Sequence, residues 1–257
     1  SVTPIFDARG RITEYVFSGY FSRGPLVFNL PVHQGASWLK NLFVRSLADS
    51  GIEYAESPRV QDGGATEPFE VDLSSKPLLD ILRQSVQYSI NGIMDRIFQE
   101  LAYHQQQGKA GTLLESFFGE VIGDPSLMTG IRMEDGSGLD LRNRVRVDAL
   151  YLFLQRLRNE SYFPQFLSSL AVAGKSGTLL NRSTLVASDY TYGKIAAKTG
   201  TLNGISNLAG YFLMGAGATP EPFVILSESD FTAATARPLI DGVVVNFAAQ
   251  NTRGLKN

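Results

Sequence analysis

The 257-residue chain has no cysteine, so it carries neither a disulfide framework nor a thiolate metal site, and redox chemistry does not assign it a compartment. Its only two histidines, His33 and His104, are far apart, and neither has a second nitrogen or sulfur ligand at metal spacing, so the sequence predicts no metal centre. An excess of one charge is also missing. Twenty-three Lys and Arg against 25 Asp and Glu leave a net charge of −2, which provides no steering toward nucleic acid. No apolar run approaches the length of a membrane helix, and Ser1-Val2-Thr3-Pro4 lacks the basic and apolar regions of a signal peptide. A nucleotide loop is not there either. Gly174-Lys175-Ser176-Gly177-Thr178 resembles the tail of one, but the earlier glycine it requires would fall at Ser169.

What remains is an ordinary globular composition, 44% hydrophobic and 19% charged, long enough for one large domain with a smaller appendage. Residues 12–21 and Leu26 to Val32 have strand composition on either side of Ser22-Arg23-Gly24-Pro25 and predict a two-stranded entry. Gly35-Ala36-Ser37 opens an amphipathic helix that stops at Ser50-Gly51, and residues 57–72 read as a surface loop. A helix follows with Ser74 or Ser75 as its cap and Pro77 just inside it. It ends near Gln87-Tyr88, Ser89-Ile90-Asn91 turns the chain, and Ile93, Met94, Ile97, Phe98 and Leu101 stripe the next helix. Asp135-Gly136-Ser137-Gly138-Leu139 reads as a tight turn and Val147 to Leu157 as a helix. Strands are expected at 193–199, Leu208 to Met214 and Phe223 to Leu226, and a closing helix from Leu239 to Ala249, giving an antiparallel sheet with helices on it.

Three stretches carry candidate chemistry. In Gly193-Lys194-Ile195-Ala196-Ala197-Lys198-Thr199-Gly200-Thr201, an alternating strand delivers a cation and hydroxyls to a glycine that admits a ligand backbone, which suits a ligand ending in a carboxylate. Ser89 and Asn91 supply a hydroxyl and an amide; the alternative is that they only cap the two helices. Ser37 and Lys40 stand one helical turn apart, the spacing at which a lysine acts as base toward a serine hydroxyl. The alternative is a helix N-cap with Lys40 solvated.

Ser89-x-Asn91 with Lys198-Thr199-Gly200 resembles the paired motifs of penicillin-binding proteins and β-lactamases. Ser75-Lys76-Pro77-Leu78, Asp135 to Leu139, Thr201-Leu202-Asn203-Gly204-Ile205 and Asn207-Leu208-Ala209-Gly210-Tyr211 extend the likeness across nearly the whole chain. In order and spacing they resemble the C-terminal half of the class C penicillin-binding proteins, the D-alanyl-D-alanine carboxypeptidase/endopeptidase (peptidase S13) family. Members often carry serine where this chain has Asp140.

The resemblance implies an α/β (α+β) transpeptidase fold, an antiparallel sheet with flanking helices and a helical subdomain. Residues 1–31 would be the end of an inserted β domain and its return strand, and residues 32–257 the C-terminal part of the catalytic domain. It implies a serine DD-peptidase of peptidoglycan metabolism, a β-lactam target, working outside the cytoplasm without metal or organic cofactor. Lys198 and Thr199 would hold the terminal carboxylate of a stem peptide, and Gly200 and Thr201 would let the strand pair with it. Ser89 would relay a proton to the leaving amine, and Asn91 would orient the substrate amide. The family's Ser-x-x-Lys lies before its inserted domains, and the text around Ser37 resembles a later helix. The chain is therefore expected to be a fragment, an isolated domain or a degenerate relative without its nucleophile, partnered by the missing N-terminal segment. A noncatalytic muropeptide-binding module is the alternative.

Overall fold

A computed structural model describes residues 2–6, 12–17, 35–52, 74–105, 110–213, 215, 217–228, 230 and 232–254. The chain divides into two compact units, Ser1–Val71 and Asp72–Asn257, each described by itself. The expected division after residue 31 differs from this one, because the helix that follows residue 34 groups with the first unit.

In the first unit β1 (Val2–Phe6) and β2 (Ile12–Phe17) pair antiparallel, with Val2 opposite Phe17 and a register shift between Ile5 and Phe6. The two-stranded entry expected from residues 12–21 and 26–32 has its second strand outside the described residues, where the loop at 57–72 and His33 also lie. Proline at position 4 hides β1 from a propensity reading, yet a strand with a single neighbour tolerates a missing N–H. Helix α1 (Gly35–Asp49) begins three residues earlier than an N-cap at Ser37 requires. Ser37 is its third residue, because Gly35 and Ala36 already adopt helical backbone. Gly51 ends the helix as expected, at φ +74, with its N–H on the Ala48 carbonyl and that of Ile52 on Leu47.

The second unit contains α2 (Leu78–Tyr88), α3 (Asn91–Gln105), α4 (Ala110–Ile122), α5 (Val147–Leu157), α6 (Phe163–Ser169), β3 (Ala171–Val172), α7 (Ser183–Val186), β4 (Ile195–Leu202), β5 (Ile205–Phe212), β6 (Glu221–Ile225) and α8 (Ala233–Gly254). Neither Ser74 nor Ser75 caps α2. Pro77 occupies the cap with ψ 142, its carbonyl accepts from Asp80 and Ile81, and the Ser75 hydroxyl turns to the Lys76 carbonyl. Helix α8 starts six residues before the expected Leu239. Pro238, the sixth residue of the helix, withholds the N–H that would reach the Ala234 carbonyl.

The four strands form one antiparallel sheet in the order β3-β4-β5-β6. Alternation gives the sheet two buried faces. On one, Ile195, Ala197, Leu208 and Phe212 pack with Ile240, Val244 and Ala248 of α8. On the other, Ala196 and Tyr211 pack with Leu154, Leu157 and Phe163 of α5 and α6, and the buried Tyr211 hydroxyl donates to the Leu154 carbonyl at 2.9 Å. Phe118 and Ile122 of α4 join Ala149 of α5 in a third cluster. The expected mixed fold, an antiparallel sheet flanked by helices, is therefore present.

One ion pair fixes α8 from the side. Arg182 Nε donates to both carboxylate oxygens of Asp241, at 2.8 and 2.9 Å, and Asp241 is only 2% exposed. Removing one partner strands a buried charge, so Asp241→Ala is expected to cost about 3–5 kcal/mol. Replacing both, as Arg182→Met with Asp241→Leu, is expected to recover most of that loss. Urea denaturation of the three proteins checks this, and a single mutant as stable as the double would contradict it.

Candidate active site

Strand β4 leaves the core at Ala197 and continues with Lys198, Thr199, Gly200 and Thr201 at the wall of a cavity of about 490 Å³. Strand β3 pairs only with Ala196 and Ala197. From Lys198 to Leu202, β4 is thus bonded on one side by β5 and has an open edge on the other among the described residues.

Ser89 ends α2 at φ 55 and ψ 54, and it is the only non-glycine residue with positive φ among those described. A left-handed seat for a residue with a Cβ costs about 1–3 kcal/mol, which marks it as a candidate for function. The backbone does the capping here, since the Ser85 carbonyl accepts from the N–H groups of Ser89 and Ile90. That leaves the side chain free for another task. Lys198 Nζ donates to Ser89 Oγ at 2.9 Å and to the Thr199 carbonyl at 2.7 Å. Burial pushes the Lys198 amine below its ordinary value, so it parts with a proton more readily than a solvated lysine. Asn91 is the first residue of α3, and its cap is Ile90, whose carbonyl accepts from Ile93 and Met94. The Asn91 side chain lines the cavity, and no hydrogen bond engages it among the described residues.

The opposite wall is the turn at Asp135. The Asp135 carboxylate accepts from the N–H groups of Gly138, Leu139 and Asp140, the Ser137 hydroxyl and the Asn143 amide. Burial alone would raise this carboxyl, but the donors, Asn143 foremost, outweigh burial and hold it below its ordinary 3.8. Asp140 accepts from the Arg142 side chain and N–H, and these hold it at about 2. Asp95 joins the two walls. It lies one helical turn after Asn91, and its Oδ1 accepts from the N–H groups of Gly136 and Ser137 at 3.1 and 2.8 Å. The fit leaves no room for a side chain at 136, where a Cβ would stand 2.4 Å from the Met94 carbonyl oxygen.

The structure therefore brings Ser89, Asn91, Lys198, Thr199, Gly200 and Thr201 to one cavity. Ser37 and Lys40 belong to α1 in the other unit, where Lys40 is exposed.

A family profile described as D-Ala-D-Ala carboxypeptidase 3 (S13) matches residues 20–250. The chain belongs to this S13 family. It is 30% identical over 193 residues to a D-alanyl-D-alanine carboxypeptidase of Actinomadura sp. strain R39, covering 70% of this chain and 35% of that protein. It is 26% identical over 192 residues to the D-alanyl-D-alanine carboxypeptidase DacB of Haemophilus influenzae, covering 73% of this chain and 39% of that one. A crystal structure of penicillin binding protein 4 (dacB) from H. influenzae, complexed with a novel β-lactam, matches with TM-score 0.60 at 24% identity, over 90% of this chain and 53% of that one. This last likeness shows the fold. The chain thus spans well under half the length of the curated relatives it matches.

Sequence reading of this S13 chain overlooks Asp95, Asn143 and Thr178. The signal for Asp95 is its four-residue offset from Asn91, which puts both on one helix face. Thr178 is hidden in the false phosphate loop. Gly177 there, at φ +58, comes so close to α2 that a Cβ would stand 2.3 Å from the Gln87 carbonyl oxygen. That approach sets Thr178 beside β4, where its hydroxyl accepts from Thr199 at 3.1 Å.

Removing the Asp95 carboxylate leaves two partly buried N–H groups without an acceptor, so Asp95→Ala is expected to cost about 1–3 kcal/mol. Amide exchange at Gly136 and Ser137 should accelerate more than exchange in α5, and uniform acceleration would count against the assignment. The Asp135 turn also has a pH signature. A carboxyl whose folded value is depressed stabilises the fold fully above its ordinary 3.8, and that contribution is lost as pH falls through the depressed folded value. Protection of the amides at 138–140, taken relative to the intrinsic exchange rate at each pH, should fall across that acid window and hold constant above it.

Proposed function

We propose that this cavity is the substrate groove of a serine-type D-Ala-D-Ala carboxypeptidase/endopeptidase that acts on peptidoglycan stem peptides and is acylated by β-lactams. The observation that carries the reading is the 2.9 Å bond from Lys198 Nζ to Ser89 Oγ, made inside a cavity that the open edge of β4 borders. S13 membership and the β-lactam named with the H. influenzae structure support it. Such a substrate places the protein in the periplasm or elsewhere outside the cytoplasm. Among the described residues no helix is long and apolar enough to cross a membrane.

The residues divide the work by chemistry. A stem peptide lies along the open edge of β4 and pairs with it. At Gly200 the protein's own packing would admit a Cβ, the nearest neighbour being Asn207 Cβ at 3.4 Å, so the bare backbone serves the approaching ligand. Asn91 turns its unengaged amide to the substrate's peptide group. When a serine hydroxyl attacks the scissile carbonyl, the leaving amine needs a proton. The Ser89 hydroxyl gives its own and takes one from the Lys198 ammonium, which desolvation has made a better donor. Positive charge at Lys198 and the hydroxyls of Thr199 and Thr201 favour a terminal carboxylate.

The attacking hydroxyl comes, in this reading, from an N-terminal segment of the protein outside this chain. The sole Ser-x-x-Lys in the sequence is Ser37 to Lys40, in the other unit. The second unit also offers a place for such a segment. Strand β6 has one strand neighbour among the described residues, and Leu239, Val243 and Phe247 form an exposed apolar stripe along α8. In the same reading residues 1–31 are the end of an inserted β domain. A module that holds muropeptides without cleaving them is the second reading, and the assignment of the lone Ser-x-x-Lys to the first unit favours it for the isolated chain.

Incubation with benzylpenicillin followed by intact-mass measurement separates these. The chain alone is expected to gain no covalent adduct, and a longer form carrying the upstream segment is expected to gain one. No adduct on the longer form would leave the binding-module reading. An adduct mapped to the peptide containing Ser37 would make this chain a self-sufficient acyl-enzyme and overturn the segment proposal.

A further inference from the structure

Beyond Ala197 the alternation of β4 separates its polar side chains. Ala196 packs against the α5 and α6 side, and Lys198 follows on that face to reach Ser89. Ile195 and Ala197 pack beneath α8, and Thr199 and Thr201 follow on that face. A second cavity, of about 520 Å³, lies there, lined by Thr178, Thr199, Thr201, Arg182 and Arg237 among others. Thr199 and Thr201 line both cavities, so the two meet at the rim of β4.

The three cations around this rim are engaged differently. Arg182 is held by its buried pair with Asp241, hydrogen-bonded through Nε, with Nη2 at ion-pair distance from the same carboxylate. Lys198 gives its donors to Ser89 and to the Thr199 carbonyl. Arg237, exposed on α8, pairs with no carboxylate among the described residues, and its Nη2 donates to Thr201 Oγ1 at 3.3 Å. A guanidinium has five donors, so this bond leaves four. By accepting from Arg237, the Thr201 oxygen keeps its own hydrogen for another acceptor. The Thr199 hydroxyl, by contrast, donates to Thr178.

We propose that Arg237 is the counter-charge for the terminal carboxylate of the bound peptide or β-lactam, taken together with the Thr201 hydroxyl, a role that rests on reading the groove as a D-Ala-D-Ala site. Lys198 lends its charge to the cavity but is bonded to Ser89 and to the Thr199 carbonyl, so without Arg237 the carboxylate would give up water with no cation bonded to it directly, and the planar guanidinium fork matches its geometry. Lys198 then stays with Ser89 and proton transfer. Two cations that sit on opposite faces of one strand carry the two jobs, and the acid requirement becomes separable from the chemistry.

Calorimetric titration of the chain with an N-acetylated tripeptide ending in D-Ala-D-Ala, as the free acid and as its C-terminal amide, tests this. Wild type is expected to prefer the acid. Arg237→Gln is expected to weaken acid binding by about tenfold, the loss of one charge-assisted contact, while amide binding stays unchanged. Arg237→Lys, which keeps the charge without the fork, should fall between. Unchanged acid binding in Arg237→Gln, or equal loss for acid and amide, overturns the assignment. Wild type binding acid and amide equally overturns it too, while leaving the groove reading intact. If wild type binds neither peptide, the groove reading fails and the role of Arg237 falls with it.

Discussion

The site depends on a single geometric constraint, the alternation of β4 where it runs out of the core. Up to Ala197 the strand is buried on both faces, and its residues are small or branched because α8 lies on one side and α5 and α6 on the other. Past that point the same alternation continues beyond the packed helices, so whatever is written at 198 and 199 must face opposite sides. Lysine at 198 meets the end of α2, and threonine at 199 meets the turn that precedes α7. Nothing about either residue type dictates this division. It follows from the core having already fixed which face is which.

Around that strand end the cavity walls are irregular, and irregular backbone must satisfy its N–H groups in some other way than by a ladder. Two carboxylates do so. Asp135 collects the amides of Gly138, Leu139 and Asp140, and Asp95 reaches from α3 to those of Gly136 and Ser137. Because Asp95 stands one turn beyond Asn91, a cavity-lining amide and a loop anchor share a single helix face. The opposite wall therefore moves with α3, and the width of the groove is tied to the position of Asn91.

Strands β4, β5 and β6 and helices α2, α3, α5 and α8 were legible because they repeat their pattern over many residues, and Ser89, Asn91 and Lys198 because their motifs are short and ordered; the two-residue β3, and α4, α6 and α7, have no counterpart in the sequence reading. Ends were harder. Pro238 looks like a helix start, since the cost of a proline depends on which carbonyl loses its partner, and only the fold shows that α8 tolerates the loss. Ser37 looks like a cap because serine favours that position, yet helical backbone at Gly35 and Ala36 moves it inside the helix. The pairing of β1 with β2 was obscured by Pro4, whose missing N–H matters only where a second strand would need it. Asp95 and Thr178 were illegible for a different reason. Each acts through backbone or side chains far away in sequence, and a single sequence contains no record of such encounters.

The backbone at Ser89 sets two demands against each other at one position. Glycine would occupy the left-handed seat without strain, but it would leave Lys198 with no hydroxyl to hold. A chain shaped by thermal endurance alone would carry glycine there, so the residue at 89 reports which demand has prevailed. In engineering for robustness, this helix end is the place where added stability would come directly out of the chemistry.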